Sequence, residues 1–101
     1  MRTVLVRYKV KPDRADENKR YVEAVFKELN ANAPAGLHYA TFIAPDGVSF
    51  VHVATLRSSD NPLARTAAFQ TFQEQIEDRC EEQPVLTELQ EVGSYAFHPV
   101  G

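Results

Sequence analysis

Two histidines, His38 and His52, are the residues of this sequence best suited to acid–base chemistry. Each lies in a short apolar run, LHYATFI for the first and VSFVHVATL for the second. An imidazole that titrates near neutral pH can remove a proton from a hydroxyl group. We therefore predict His52 as a general base and His38 as a second catalytic residue. The alternative is that both are surface or interface histidines with satisfied hydrogen bonds.

The pairing of these two runs decides whether the histidines meet. The tetrapeptide Ala-Pro-Asp-Gly at 44–47 predicts a tight turn that joins two strands in a hairpin. If Ala44 pairs with Val48, the resulting register places His38 and His52 on one face as near neighbours. A bulge at the glycine would shift the parity and separate them.

Three large apolar residues of the hairpin, Phe42, Phe50 and Leu56, are predicted to line a cavity around the two imidazoles. An apolar cavity that contains a few polar groups is the usual setting for a small-molecule site. We predict these three residues as substrate-binding, and a phenol-like compound as the substrate that the imidazoles would deprotonate.

Arg7 is predicted as a further substrate-binding residue. A guanidinium on a strand that is covered on both faces needs a carboxylate partner or an anionic ligand. The alternative is an ion pair with Glu88 or Glu91 of the last predicted strand, or an arginine that reaches the edge of the sheet.

Metal binding is not predicted. Two histidines on adjacent strands need a third ligand, the hairpin offers no carboxylate at matching parity, and His98 lies near the C-terminal end. Cys80 is the single cysteine, and its place on an apolar helix stripe predicts a small buried side chain rather than a nucleophile. No cofactor is predicted either.

Hydrophobic periodicity and turn residues divide the chain into six elements in the order strand, helix, strand, strand, helix, strand. This order predicts an α+β, ferredoxin-like βαββαβ fold with a four-stranded antiparallel sheet, in one domain that spans 1–101. The predicted elements are a strand at 3–10, a helix that begins at Asp13 and ends at 32–33, strands at 37–43 and 48–56, a helix at 64–80 after a polar loop at 58–62, and a strand at 85–97 with a bulge at Gly93.

The strands carry apolar residues at both parities, although two helices can cover only one face of a sheet. A sheet with one face in water should alternate more regularly between apolar and polar residues. We therefore predict a homodimer in which two copies pack sheet against sheet. A weakly amphipathic open sheet is the alternative.

Composition restricts the partners. The 101 residues include 11 Lys and Arg against 14 Asp and Glu, a net charge of −3, without the basic block that grips nucleic acid. No run approaches the roughly 20 apolar residues of a membrane span. The apolar start of the chain is too short for a signal peptide, so we expect a cytoplasmic protein that contacts neither nucleic acid nor membrane.

Five short motifs, in this order and spacing, resemble the antibiotic biosynthesis monooxygenase superfamily. The resemblance spans nearly the whole chain and implies a dimeric α+β barrel in which two ferredoxin-like sheets enclose the pocket. The motifs are RYKVKPD at 7–13, GLHY at 36–39, FVHV at 50–53, FQTF at 69–72 and VGSY at 92–95.

The activities that this resemblance implies include oxidation of quinols and polycyclic aromatic compounds without a cofactor, haem degradation, and isomerase or lyase reactions. Oxygenase members often place a tryptophan at the end of the third strand, where this chain has Leu56. We predict a cofactor-independent monooxygenase that acts on a small hydrophobic aromatic compound, quinol-like or polyketide-like. The alternative is a non-catalytic dimer that binds a small ligand or serves a structural role.

Overall fold

Four antiparallel strands form one sheet with the spatial order β2-β3-β1-β4. The computed structural model describes residues 2–57 and 61–96. Together with one long helix and a second helical segment that is broken in two, the strands confirm the predicted α+β, ferredoxin-like arrangement. The strands are β1 (Arg2–Val10), β2 (Leu37–Ile43), β3 (Ser49–Leu56) and β4 (Cys80–Leu89).

Three helices cover one face: α1 (Ala15–Asn32), α2 (Ala67–Glu74) and the short α3 (Ile76–Arg79). The predicted start of the first helix at Asp13 is wrong, because that residue lies in a 3-10 turn and α1 begins after Arg14 without a side-chain cap. The prediction of one continuous helix at 64–80 is also wrong. A 3-10 turn precedes α2, and a break at Gln75 separates α2 from α3.

The start of α2 is held by α1. Thr66, the residue before α2, is extended, and its side chain does not cap the first N–H groups of α2. The Glu28 carboxylate of α1 accepts hydrogen bonds from the backbone of Ala67 and Ala68 at 3.1 and 3.0 Å. A carboxylate at this position satisfies unpaired donors and complements the helix dipole, so this contact fixes where α2 lies over the sheet.

The β2–β3 hairpin adopts the bulged register rather than the predicted tight one. The Ala44 N–H bonds the Ser49 carbonyl at 2.9 Å, and the turn includes Gly47 with a φ of +76°. His38 therefore pairs with Thr55, and His52 with Thr41. Because neighbouring residues of a strand point to opposite faces, the expectation that the two histidines share a face is wrong.

The last strand begins five residues before its predicted start, directly after α3. Pro84 was expected to precede the strand but lies inside it. Proline is tolerated here because β4 is an edge strand. In addition, the register of β4 against β1 is irregular between Arg7 and Lys9, where Pro84 lies. Gly93 follows the end of β4 and is not a bulge within it. Residues 58–60 of the predicted loop and residue 97 of the predicted strand lie outside the described residues.

The two faces of the sheet have different surroundings. Beneath the helices, a buried core joins Tyr8, Val10 and Phe50 of the sheet to Val25 and Phe72 of the helices. The opposite face, which we call the outer face, has no helix on it within the described part of the chain, and its apolar side chains stay accessible. Residues of the outer face include Leu5, Phe42, Val51, Val53, Val85 and Leu89.

The residue after α1, Ala33, has a φ of +44° and a ψ of +55°, a left-handed conformation that favours glycine. We expect Ala33→Gly to raise the free energy of unfolding by up to about 1 kcal/mol. Ala24→Gly, at an exposed position inside the same helix, is the matched control and should lower it by about 1 kcal/mol. Urea unfolding of the two variants measures both signs, and destabilisation by Ala33→Gly would contradict the strain argument.

Candidate functional site

A cavity of about 420 Å³ lies between the sheet and the helices of one chain. It differs from the pocket between two sheets that the resemblance implied, which needs a second copy and stays a prediction. Most of the wall is apolar. The apolar wall consists of Val4 and Val6 of β1, Ala54 and Leu56 of β3, Leu63, Phe69, Phe72 and Ile76 of the helical layer, and Leu86 of β4.

His52 and two tyrosines form a polar cluster at one end of the cavity wall. The His52 side chain is almost completely buried, with 5% of its surface exposed. Its Nε2 atom lies 2.8 Å from the Tyr8 hydroxyl, and its Nδ1 atom lies 2.5 Å from the Tyr39 hydroxyl and 3.1 Å from the Thr41 hydroxyl. Both ring nitrogens are therefore engaged with side chains of the protein.

Packed aromatic rings hold this cluster in place. Tyr8 stacks on Phe50 with ring centroids 5.5 Å apart and an interplanar angle of 7°. Tyr39 stacks on Phe26 of α1 at 5.1 Å, and Phe72 of α2 packs against the His52 ring at 5.4 Å. Because each ring has neighbours on its faces, the hydroxyl and imidazole groups have little rotational freedom.

A second layer of polar groups lies behind Tyr8, away from the cavity. The Asn18 amide donates to the Tyr8 hydroxyl at 2.9 Å, and Arg79 Nε donates to the Asn18 carbonyl oxygen at 3.1 Å. Arg79 also donates from Nη2 to the Phe72 carbonyl at 2.7 Å. Both Asn18 and Arg79 have no solvent-exposed surface, so this pair belongs to the interior and supports the cavity wall indirectly.

Burial determines the protonation of the cluster. Desolvation lowers the pKa of His52 from its ordinary 6.5 to about 4, so the expectation of an imidazole that titrates near neutral pH is wrong. Desolvation also raises the pKa of Tyr39 to about 12 and that of Tyr8 still further. At neutral pH the site therefore contains a neutral imidazole and two protonated phenols.

The predicted site residues divide between the two faces of the sheet. His52 and Leu56 line the cavity, and Phe50 lies beside it as the support of Tyr8. His38 and Phe42 belong to the outer face and are exposed, so the structure corrects the prediction that they share a cavity with His52.

Arg7 also lies on the outer face, where it pairs with Val51 and Val85 and is exposed. Covering of Arg7 on this face requires the predicted second copy and stays a prediction. The proposed ion pair with Glu88 is wrong, because Glu88 pairs with Val4 and shares its face. Glu91 follows the end of β4, next to the opposite end of β1.

Sequence reasoning missed Tyr8, Tyr39, Asn18 and Arg79 as members of the site. The tyrosines were not assigned to the cavity, because the face to which each side chain points depends on the register. A signal for Asn18 was present, since it precedes Val22 and Val25 at helical spacing on the apolar stripe of α1. A polar residue on such a stripe needs a buried partner.

Within residues 2–57 and 61–96, no group of three or more His, Cys, Asp or Glu side chains could hold a metal ion. His98 lies outside the described residues. No helix in the described part of the chain is long and apolar enough to cross a membrane.

The fold is shared with solved structures from several bacteria. A provisionally named antibiotic biosynthesis monooxygenase from Nitrosomonas europaea superimposes with a TM-score of 0.73 at 16% identity, over 99% of this chain and 93% of that one. Rv0793 from Mycobacterium tuberculosis gives 0.74 at 18%, over 92% and 96%. A second provisionally named monooxygenase, from Caulobacter crescentus, gives 0.69 at 21%, over 91% and 90%.

These likenesses confirm the resemblance to antibiotic biosynthesis monooxygenases at the level of the fold. No family model and no curated protein matches the sequence. Since one fold supports many reactions, the function has to be argued from the site.

The low pKa of His52 predicts a specific acid sensitivity. Between pH 6.5 and about 4 the unfolded chain binds a proton at this residue and the folded chain does not, so the free energy of unfolding falls as the pH falls. The expected loss is about 3 kcal/mol. His52→Gln should lack this part of the decrease, as measured by urea unfolding at a series of pH values. Equal slopes for the two proteins would contradict the buried neutral imidazole.

Proposed function

We propose that the chain binds a small hydrophobic aromatic compound in the cavity and oxidises it with molecular oxygen, as a cofactor-independent monooxygenase. The observation that carries this proposal is an apolar cavity of about 420 Å³ with a buried imidazole and two phenols in its wall. That volume is in the range of small-molecule sites. The fold shared with proteins named antibiotic biosynthesis monooxygenases supports the same function.

The shape of the cavity suits a long, flat ligand. Its lining follows β1 from Tyr8 to Arg2, a distance of about 20 Å along an extended strand. Apolar residues line the middle, and the charged residues Arg2 and Glu88 lie at the end opposite Tyr8. A fused aromatic ring system would place a ring oxygen at the His52 cluster and more polar substituents near the charged end.

The proposed reaction needs no electron donor besides the substrate. A phenol and one O₂ give a quinone and one water, and the substrate supplies all the electrons that reduce the oxygen. The electron-rich species is the phenolate, so the site must favour the anion. A hydrogen-bond donor held in a poorly solvated cavity does this effectively, because it need not reorganise when the charge develops.

His52 acts in this proposal by holding Tyr39, and the donor to the substrate oxygen is the Tyr39 hydroxyl. A base with a pKa of about 4 is a weak acceptor for a phenol proton, and both of its ring nitrogens already have partners. The substrate proton is therefore released to solvent as the anion forms. The rate should rise with pH through the pKa of the substrate hydroxyl.

A non-catalytic ligand-binding protein is the second candidate. It is favoured by the saturation of both His52 nitrogens with protein partners and by the absence of tryptophan from the chain. The cavity would then bind the same class of ligand without any reaction. Oxygen consumption distinguishes the two candidates.

We further propose that the protein is a homodimer that packs outer face against outer face. Phe42 and Val85 of that face have 58% and 56% of their surface exposed, which is costly for a β-sheet in water. A second copy supplies a matching apolar surface by symmetry. The cavity lies on the other face, so each protomer would keep its own site.

The catalytic proposal predicts oxygen uptake with a polycyclic phenol such as 1-naphthol, one O₂ for each quinone formed. We expect Tyr39→Phe to lower kcat/KM by about 100-fold, the effect of removing one donor to a developing anion. Tyr95→Phe, at a tyrosine 95% exposed, is the matched control. An oxygen electrode with product analysis provides the measurement. Ligand binding without oxygen uptake across a panel of phenols and quinols would favour the non-catalytic candidate.

The dimer proposal predicts that a charge on the outer face separates the protomers. Sedimentation at micromolar concentration should give a dimer for the unaltered chain and a monomer for Val51→Asp. Ala24→Asp, at an exposed position of α1, should remain dimeric. A monomeric unaltered chain under these conditions would refute the proposal.

A further inference from the structure

The polar groups around His52 form one continuous chain of hydrogen bonds. It runs from Arg79 through Asn18, Tyr8 and His52 to Tyr39, with successive distances of 3.1, 2.9, 2.8 and 2.5 Å. Hydrogen positions in such a chain follow from which members can only donate. Ligand binding depends on whether the last group of this chain presents a donor or an acceptor to the cavity.

The direction is set at the arginine end. A guanidinium stays protonated and has no acceptor atom, so Arg79 can only donate to Asn18. This contact turns the carbonyl oxygen of the Asn18 amide toward Arg79 and leaves its NH₂ group to donate to the Tyr8 oxygen. Both residues are fully buried, and a reversed amide would point its NH₂ group at the Arg79 donor.

The same reasoning continues to the histidine. The Tyr8 oxygen accepts from Asn18, so its proton is free to be donated to His52 Nε2 at 2.8 Å. A neutral imidazole that accepts at Nε2 carries its proton on Nδ1. That proton faces the Tyr39 oxygen at 2.5 Å and the Thr41 oxygen at 3.1 Å.

At the end of this chain of hydrogen bonds, the Tyr39 oxygen accepts from His52. The Thr41 hydroxyl also donates to the Tyr39 oxygen, a contact that lowers the pKa of Tyr39. The Tyr39 hydroxyl proton therefore has no partner within the cluster. Tyr39 lines the cavity, and stacking on Phe26 restrains its ring. The Tyr39 hydroxyl proton therefore points into the cavity, where a ligand oxygen can accept it.

We propose that Arg79 and Asn18 fix the direction of this chain, so that Tyr39 presents a hydrogen-bond donor to the cavity and selects ligands with a carbonyl or phenolate oxygen. This inference rests on the proposed binding function and narrows its ligand class. Asn18 and Arg79 are positioning residues, since neither lines the cavity. The oxygen of a neutral phenol is a weaker hydrogen-bond acceptor than a carbonyl or phenolate oxygen, so a neutral phenol binds less tightly than a ketone of similar size.

The isosteric substitution Asn18→Asp tests the direction. A carboxylate only accepts hydrogen bonds, so Asp at position 18 accepts from both Arg79 and the Tyr8 hydroxyl. The Tyr8 oxygen then accepts a hydrogen bond from His52 Nε2. In ¹⁵N spectra of histidine-labelled protein at pH 7, we expect Nδ1 to carry the proton in the unaltered chain and Nε2 to carry it in the variant. An Nε2–H tautomer in the unaltered chain, or the same tautomer in both, overturns the proposal. If the variant fails to fold, the unaltered chain alone decides.

Ligand selection is tested by calorimetric titration with 2-acetylnaphthalene, whose carbonyl is a strong acceptor, and 2-naphthol, whose hydroxyl is a strong donor and a weak acceptor. We expect the unaltered chain to bind the ketone about tenfold more tightly, the effect of the stronger hydrogen bond to Tyr39. Tyr39→Phe should abolish this preference and Asn18→Asp should reverse it, while Tyr95→Phe should retain it.

The outcomes separate this inference from the proposed function. Equal affinity of the unaltered chain for both compounds would overturn the selection by Tyr39 and leave the binding function intact. No affinity for either compound would count against both the binding function and the selection, and the ¹⁵N spectra would still decide the direction of the chain.

Discussion

The buried guanidinium of Arg79 is the constraint on which the interior of this protein depends. It lies at the end of α3 with no exposed surface, and a charge in such a place costs several kcal/mol unless other groups satisfy it. The compensation comes from the Asn18 and Phe72 carbonyl oxygens and from the Tyr21 ring, 4.5 Å from the guanidinium carbon. These partners belong to α1 and α2, so the contacts of one charged group hold both helices relative to the start of β4, while Nη1 has no hydrogen-bond partner among the described residues.

This arrangement explains why a cavity with a polar wall persists beside an apolar core. The partners of Arg79 are neutral, so no buried carboxylate competes for the proton of Tyr8 or for His52. The charge is linked to the imidazole by the hydrogen bonds of Asn18 and Tyr8, which reach His52 from one side. A neutral histidine is consistent with this placement, because an imidazolium would add a second cation to the same poorly solvated region.

The sequence predicted the strands and helices more accurately than the candidate site, and the bulge at Gly47 accounts for much of this difference. The four strands and the end of α1 follow from β-branched runs, Pro34 and the 44–47 turn. The bulge at Gly47 moved His38 to the outer face, because a shift of one residue reverses every side chain of a strand. Asn18 carried a local signal, its place on the apolar stripe of α1, but Arg79 was missed for another reason: its role comes from contacts between α1, α2 and α3 that no local pattern encodes.

The separation of the two faces gives the sheet two independent tasks. Side chains of even number in β1 and β3 build the cavity and the core, and those of odd number form the outer face. A substitution on one face therefore leaves the pattern of the other unchanged, although both share the same backbone hydrogen bonds. Strand β4 connects the two surfaces at the edge of the sheet, with Leu86 in the cavity wall and Val85 on the outer face.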